Sequence, residues 1–179
     1  MIWQIVGAFV IFGVGALWHF IFEWIGDPEW LGWFLPVNES VWEHVKLMYW
    51  PAILYFIVEG IFLWKKTNNF LFTKMVVLFF NPIVNIIIFY TYSGITGYES
   101  FIIDSIILFI TTCVQQYISY KLLTREEVWS DKRALRIALS IFGILFLGAL
   151  LALWTYLPPH IPLYEHSGTG LYGIIHHSH

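Results

Sequence analysis

His19 and Glu23, followed by Glu39, Glu43, His44 and Lys46, are the residues of this chain best equipped for chemistry. Imidazoles and carboxylates together suit a divalent metal such as zinc, with one carboxylate left as general base for a bound water. His19 and Glu23 are four apart, which on a helix stacks them on one face. The second group sits in Pro36-Val37-Asn38-Glu39-Ser40-Val41-Trp42-Glu43-His44-Val45-Lys46. Ser40-x-x-Glu43 has the form of a capping box, and Asn38 is an alternative cap, so part of this density starts a helix. Capping does not require Glu39, Glu43, His44 and Lys46 together. At helical spacing Glu39, Glu43 and Lys46 make one stripe and Ser40 and His44 the next, beside an apolar stripe of Trp42, Val45, Tyr49, Ile53 and Phe56. Two carboxylates four apart repel unless a cation, a proton or Lys46 lies between them. The expected metal ligands are His19, Glu23 and His44, and the expected catalytic carboxylates are Glu39 and Glu43. Asn38, Ser40, Lys46, Asn85 and Asp104 are expected to support them.

These residues must be positioned by apolar elements. Of 179 residues, 59% are hydrophobic, 20% aromatic and only 12% charged, against about a quarter charged in an ordinary soluble domain. So much apolar surface needs lipid as its solvent. Five stretches, near 2–25, 39–64, 70–92, 98–122 and 134–157, are long enough to cross a hydrocarbon core, which takes roughly 20 helical residues. No period-2 pattern of a barrel appears, so the expected fold is all-α, a single bundle of five transmembrane helices spanning the chain, multi-pass in the cell membrane. The first stretch has no basic leader and no small-residue cleavage motif, and reads as a retained helix. A net charge of -3 gives no support for nucleic-acid binding. The single cysteine, Cys113, excludes an internal disulfide and a Cys-rich metal site.

Short cytoplasmic loops collect Lys and Arg. Lys65, Lys66 and Lys74 follow the second stretch, and Lys121, Arg125, Lys132, Arg133 and Arg136 flank the loop after the fourth, which places eight of the nine basic residues on one side. The amino terminus is therefore expected in the cytoplasm and the carboxyl terminus outside. All seven histidines then fall towards the outer face, with eight of the twelve acids. Asp104 lies about two turns below that face, too deep for a short side chain to reach water comfortably. Asn81 reads first as an amide satisfying the Leu78 carbonyl that Pro82 leaves without a partner, Asn85, Gln115 and Gln116 as hydrogen bonds between helices, and Glu59 as a group reaching the cytoplasmic headgroups. Gly7, Gly13, Gly15, Gly143 and Gly148 allow close helix contacts. The tail from Pro158 carries three prolines and several glycines, and is expected to fold back over the outer face. His176, His177 and His179 form a short tract of a kind that can bind a transition metal through neutral imidazoles but is also common without one.

The stretch from Pro36 to Lys46, with His19-x-x-x-Glu23 before it and Pro162-Leu163 and Thr169-Gly170-Leu171-Tyr172-Gly173 after it, resembles an uncharacterised family of small bacterial polytopic membrane proteins. The resemblance spans nearly the whole chain and implies a membrane location without an activity. The tail departs from the family pattern, showing Glu165-His166 where Asp-Pro is common. The chain lacks the seven helices and three-histidine motifs of the membrane ceramidases and progestin-receptor-like proteins. His-Glu-x-x-His, Gly-x-Ser-x-Gly and a P-loop are also absent. Three functions remain open: a metal-dependent enzyme cleaving an acyl or amide bond in membrane lipid or a lipid-linked molecule, a proton or small-cation transporter, and a structural subunit joined to a membrane partner or to further copies of itself.

Overall fold

The computed structural model describes residues 1–175; the histidine tract at 176–179 lies outside them. The chain forms five long helices: α1 (Ile2–Trp24), α2 (Val41–Leu63), α3 (Phe70–Thr96), α4 (Phe101–Leu123) and α5 (Arg133–Tyr156). All five are long and apolar enough to cross a membrane, and there is no strand among the described residues beyond one isolated antiparallel bridge between Glu165 and Tyr172. Helices satisfy every backbone group internally, which is what a hydrocarbon solvent demands.

The ends of the helices follow their capping chemistry. Ser40 is extended, and its hydroxyl accepts the Glu43 N–H at 3.2 Å, so α2 begins at Val41 and leaves Glu39 outside the helix. Only half of the capping box forms. The Glu43 carboxylate accepts the Val37 N–H at 3.0 Å, while the Ser40 N–H goes to Asn38 Oδ1 at 2.8 Å. α3 continues through Ser93-Gly94 to Thr96 and stops where Gly97, at φ 75°, takes the left-handed turn that an L side chain resists.

α2 is the centre of the bundle. It packs against α1, α3 and α5, and α4 closes the side between α1 and α3. Close approach of α1 to α2 depends on Gly15, where a Cβ would stand 2.6 Å from the Leu47 carbonyl oxygen. Gly13 faces open space. Where α5 crosses α2, Tyr49 donates to the Ile144 carbonyl at 2.6 Å and lies over Gly148.

Two charges sit differently from expectation. Lys74 belongs to α3 and is buried, donating to Glu59 Oε2 at 2.6 Å and to Ser119 Oγ at 2.9 Å. Glu59 is fully buried and also accepts from Gln4 Nε2 at 2.6 Å, so it does not reach headgroups. A long cation finds its counterion inside the bundle more cheaply than it crosses the apolar wall alone. Lys65, Lys66, Lys121, Arg125, Lys132, Arg133 and Arg136 remain at the end of the bundle away from His19 and His44. There Arg136 of α5 donates to Glu127 in the preceding loop, at 2.6 Å, and to the Asn69 side chain just before α3, at 2.7 Å.

Candidate metal site

Three elements meet at the opposite end. His19 lies one turn beyond Gly15 on α1, His44 lies in the first turn of α2, and Glu39 precedes that turn. The glycine contact that draws α1 onto α2 brings the two imidazoles together, with ring centroids 5.2 Å apart. His19 Nε2 stands 3.3 Å from His44 Nε2 and 3.3 Å from Glu39 Oε2, and His44 Nε2 stands 3.4 Å from the same oxygen. This near-equilateral triangle has the edge of a tetrahedron whose bonds are about 2.0–2.1 Å, the ligand distance of zinc to imidazole and carboxylate.

The tautomer of His44 is fixed from behind. Its Nδ1 lies 2.8 Å from the Ser40 carbonyl, which can only accept, so Nδ1 carries the proton and Nε2 presents a lone pair in the neutral ring. The 3.3 Å between the two Nε2 atoms is bridged either by a metal or by a proton carried on one of the rings. Hydrogen bonds from His19 and then His44 hold the Glu39 carboxyl far below the usual carboxylate range, against a smaller opposing effect of burial. Glu39 is thus a permanent anion beside two imidazoles.

Glu43 points elsewhere. Its Oε2 pairs with Lys46 Nζ at 2.6 Å, and its Oε1 accepts from Thr155 Oγ1 at 2.8 Å. Lys46 also reaches the carbonyls of Gly32 at 2.6 Å and Leu35 at 3.0 Å, and Thr155 Oγ1 at 2.6 Å. The pair therefore staples the loop between α1 and α2 onto α5. Asn38 does similar work for the tail, donating to the Gly173 carbonyl at 2.8 Å. Glu23 is exposed on α1 and does not belong to the group of mutually close ligand atoms formed by His19, Glu39 and His44.

Below the triangle opens a cavity of about 510 Å³ between α1, α2, α3 and α4, with Pro162, Glu165 and Ser167 of the tail at its edge. Its walls are largely apolar, among them Phe12, Phe20, Met48, Phe89, Phe101 and Leu108. Its polar groups include Asn85 and Asp104. Asp104 accepts from Tyr92 at 2.5 Å. The Asn85 amide turns to Thr111 Oγ1 and Asn81 Oδ1, each at 2.7 Å. No Lys or Arg lines this space, whereas Glu39, Glu99, Asp104 and Glu165 do. Tyr164 anchors the tail between Trp42 and Trp154, with centroids at 5.2 and 5.5 Å, and burial pushes its phenol up to about 12.

Sequence reasoning did not reach Glu99 or Glu165 as cavity residues, nor Thr155 as the hydroxyl between Glu43 and Lys46. A lone threonine in an apolar helix carries little signal, and the others depend on how the tail and the α3–α4 turn come together. A family model described as a family of unknown function, DUF6512, matches residues 1–174. No curated protein and no solved structure matches the chain.

Proposed function

The chain belongs to the DUF6512 family of unknown function, and we propose from its geometry that it is a membrane enzyme holding one divalent metal, zinc by ligand type, on His19, Glu39 and His44. The observation that carries this is the triangle of ligand atoms at 3.3–3.4 Å, with one imidazole oriented by a backbone carbonyl, at the mouth of an apolar cavity. Three protein ligands leave a tetrahedral position open for water or substrate, the arrangement of hydrolytic rather than purely structural zinc. Such a metal polarises a carbonyl and lowers the pKa of bound water.

The cavity supplies the substrate class. Its apolar walls suit a lipid-like chain, and an acyl or amide bond at the mouth would lie beside the metal. An acidic rim without Lys or Arg disfavours phosphate or carboxylate heads and suits neutral or amine heads. Asp104 lines the same cavity and is the carboxylate we assign to take a proton from an attacking water there. Glu43 has the role of positioning, since its bonds to Lys46, Thr155 and Val37 hold the chain that presents Glu39. The basic residues at the other end of the bundle favour an orientation with the site at the outer face of the cell membrane.

The test is elemental analysis of purified full-length chain with His176, His177 and His179 replaced by Ala. About one metal per chain is expected, lost in a further His19→Ala, His44→Ala variant that still folds. Absence of metal from the first protein overturns the reading. The short distance between the two Nε2 atoms favours, as a second reading, a proton shared over the triangle. That cluster would serve proton transfer, and metal-free protein whose imidazoles titrate as a coupled pair is its signature.

A further inference from the structure

A second polar system, separate from the metal reading, runs through the bundle between α3 and α4. On α3, Lys74, Asn81 and Asn85 share a face, and on α4 the matching face carries Thr111, Thr112, Gln115 and Ser119. From the cavity, Asn85 bonds to Thr111 and Asn81, and Asn81 donates to Gln115 Oε1 at 2.8 Å. From the other end, Gln4 and Lys74 both bond to Glu59, and Lys74 reaches Ser119. Lys74 Nζ also lies over the rings of Phe56 and Phe70, at 4.2 and 5.0 Å. One run ends at Gln115 and the other at Ser119.

The interruption is one helical turn of α4. Gln115 and Ser119 are four apart and Gln116 and Ser119 three apart, which puts their Cβ atoms about 5–6 Å from each other. In that turn Gln115 Nε2 and both polar atoms of the Gln116 amide are buried with no protein partner. The two side chains are 0% and 2% exposed. Gln116 also lies against the close contact of α1 and α2, its Cδ 3.2 Å from where a Cβ on Gly7 would stand. Leaving a donor or acceptor unmet costs more here than in a wet protein, because lipid offers no replacement. Two donor groups and an acceptor on successive residues supply the two to four partners that a buried water requires.

We propose that Gln115 and Gln116 bind ordered water, which joins the two runs into one hydrated seam from the cavity to Glu59–Lys74. The ligand is water itself. The seam gives this buried ion pair a route for water and proton exchange that begins in the cavity beside Asn85. Asn85 and Asn81 form the upper part of the route, Ser119 the last contact before the pair, and Gln4 its far wall.

The test uses the full-length chain in lipid nanodiscs and reads magnetisation transfer from water to assigned side-chain amide protons by NMR. Direct transfer to the Gln116 and Gln115 amides is expected in the wild type, and deuterium exchange of the Lys74 ammonium is expected to slow in Gln116→Leu. The same variant should unfold at a lower temperature, since it removes partners from bound water. No transfer from water to either amide in the wild type overturns the proposal, without any variant having to fold. A Gln116→Leu chain that unfolds at a higher temperature, with Lys74 exchange unchanged, also overturns it, because removing an unmet amide from a dry seam relieves a cost.

Discussion

Glu39 and Glu43 stand four residues apart in the same motif, yet their carboxylates live in different surroundings. Glu43 is buried, with Lys46, Thr155 and the Val37 amide occupying both of its oxygens. Glu39 is partly exposed, and the ligand atoms grouped around it are two imidazole nitrogens at the mouth of a cavity. The first carboxylate has both oxygens engaged by fixed partners inside the bundle. The second is held beside two imidazole nitrogens that can each present a proton or a lone pair. Fixed partners, rather than charge or depth alone, separate the staple from the candidate site.

The sharpest way to break this comparison is at the staple. Lys46→Met leaves Glu43 as an uncompensated buried anion, and breaking a buried pair from one side costs about 3–5 kcal/mol. Thermal unfolding in detergent should show that loss. Adding Glu43→Leu to Lys46→Met should return much of the stability, as replacing both partners of a buried pair by apolar groups commonly does. Recovery of the fold together with unchanged metal affinity would confirm that the pair holds the loop without joining the site. A rise in metal affinity in Lys46→Met alone would mean that Lys46 neutralises the metal ligands, and the comparison would fail.

The reason Glu43 and Glu39 were not separable in the sequence is local. A stripe drawn through Glu39, Glu43 and Lys46 assumes that the helix already includes residue 39. It begins at Val41, behind an extended Ser40, so Glu39 leaves the stripe and turns to His44 and His19. The five helices were legible because lipid imposes length and apolarity on every span. His19 and His44 were legible because an imidazole in an otherwise apolar helix stands out. Lys74 and Glu59 were misread because distance from a helix end says little about direction. Their pairing depends on which faces of α2 and α3 meet, and a single sequence does not encode that in its spacing. Gln116 was read as a hydrogen bond between helices, yet its amide meets no protein partner.

Smaller than the staple's effect is that of the third ligand. Glu39→Gln keeps the shape of the side chain and removes its charge. With Glu39 in the first coordination sphere, metal affinity should fall by at least about 100-fold, the upper range seen even for outer-sphere partners of metal ligands. Competition between the metal and a fluorescent chelator measures this directly. Retained affinity would remove Glu39 from the site. Acidity should act more gently. Glu39 stays ionised through the whole range because the two histidines hold its pKa down, so protons displace the metal at the imidazoles. Metal affinity should therefore fall on acidification, as protons compete for the two imidazoles. A decline confined to the carboxylate range, near pH 4, would point to an acid as the titrating ligand.

The smallest expected effect falls on Glu23, and it sharpens the comparison most narrowly. By spacing alone Glu23 has as strong a claim as Glu39, because it lies one turn from His19 on the same helix. Its side chain is exposed, however, and the close group of ligand atoms is already complete without it. Glu23→Gln should leave metal stoichiometry unchanged and shift affinity less than twofold, well under 1 kcal/mol, as expected of a surface change away from any packed or paired feature. Measured beside Glu39→Gln, it asks whether two histidines choose their carboxylate by sequence distance or by where the chain turns. A loss in Glu23→Gln equal to that in Glu39→Gln would mean that the end of α1 rearranges to bring a second acid to the metal. The triangle would then be an incomplete account of the site.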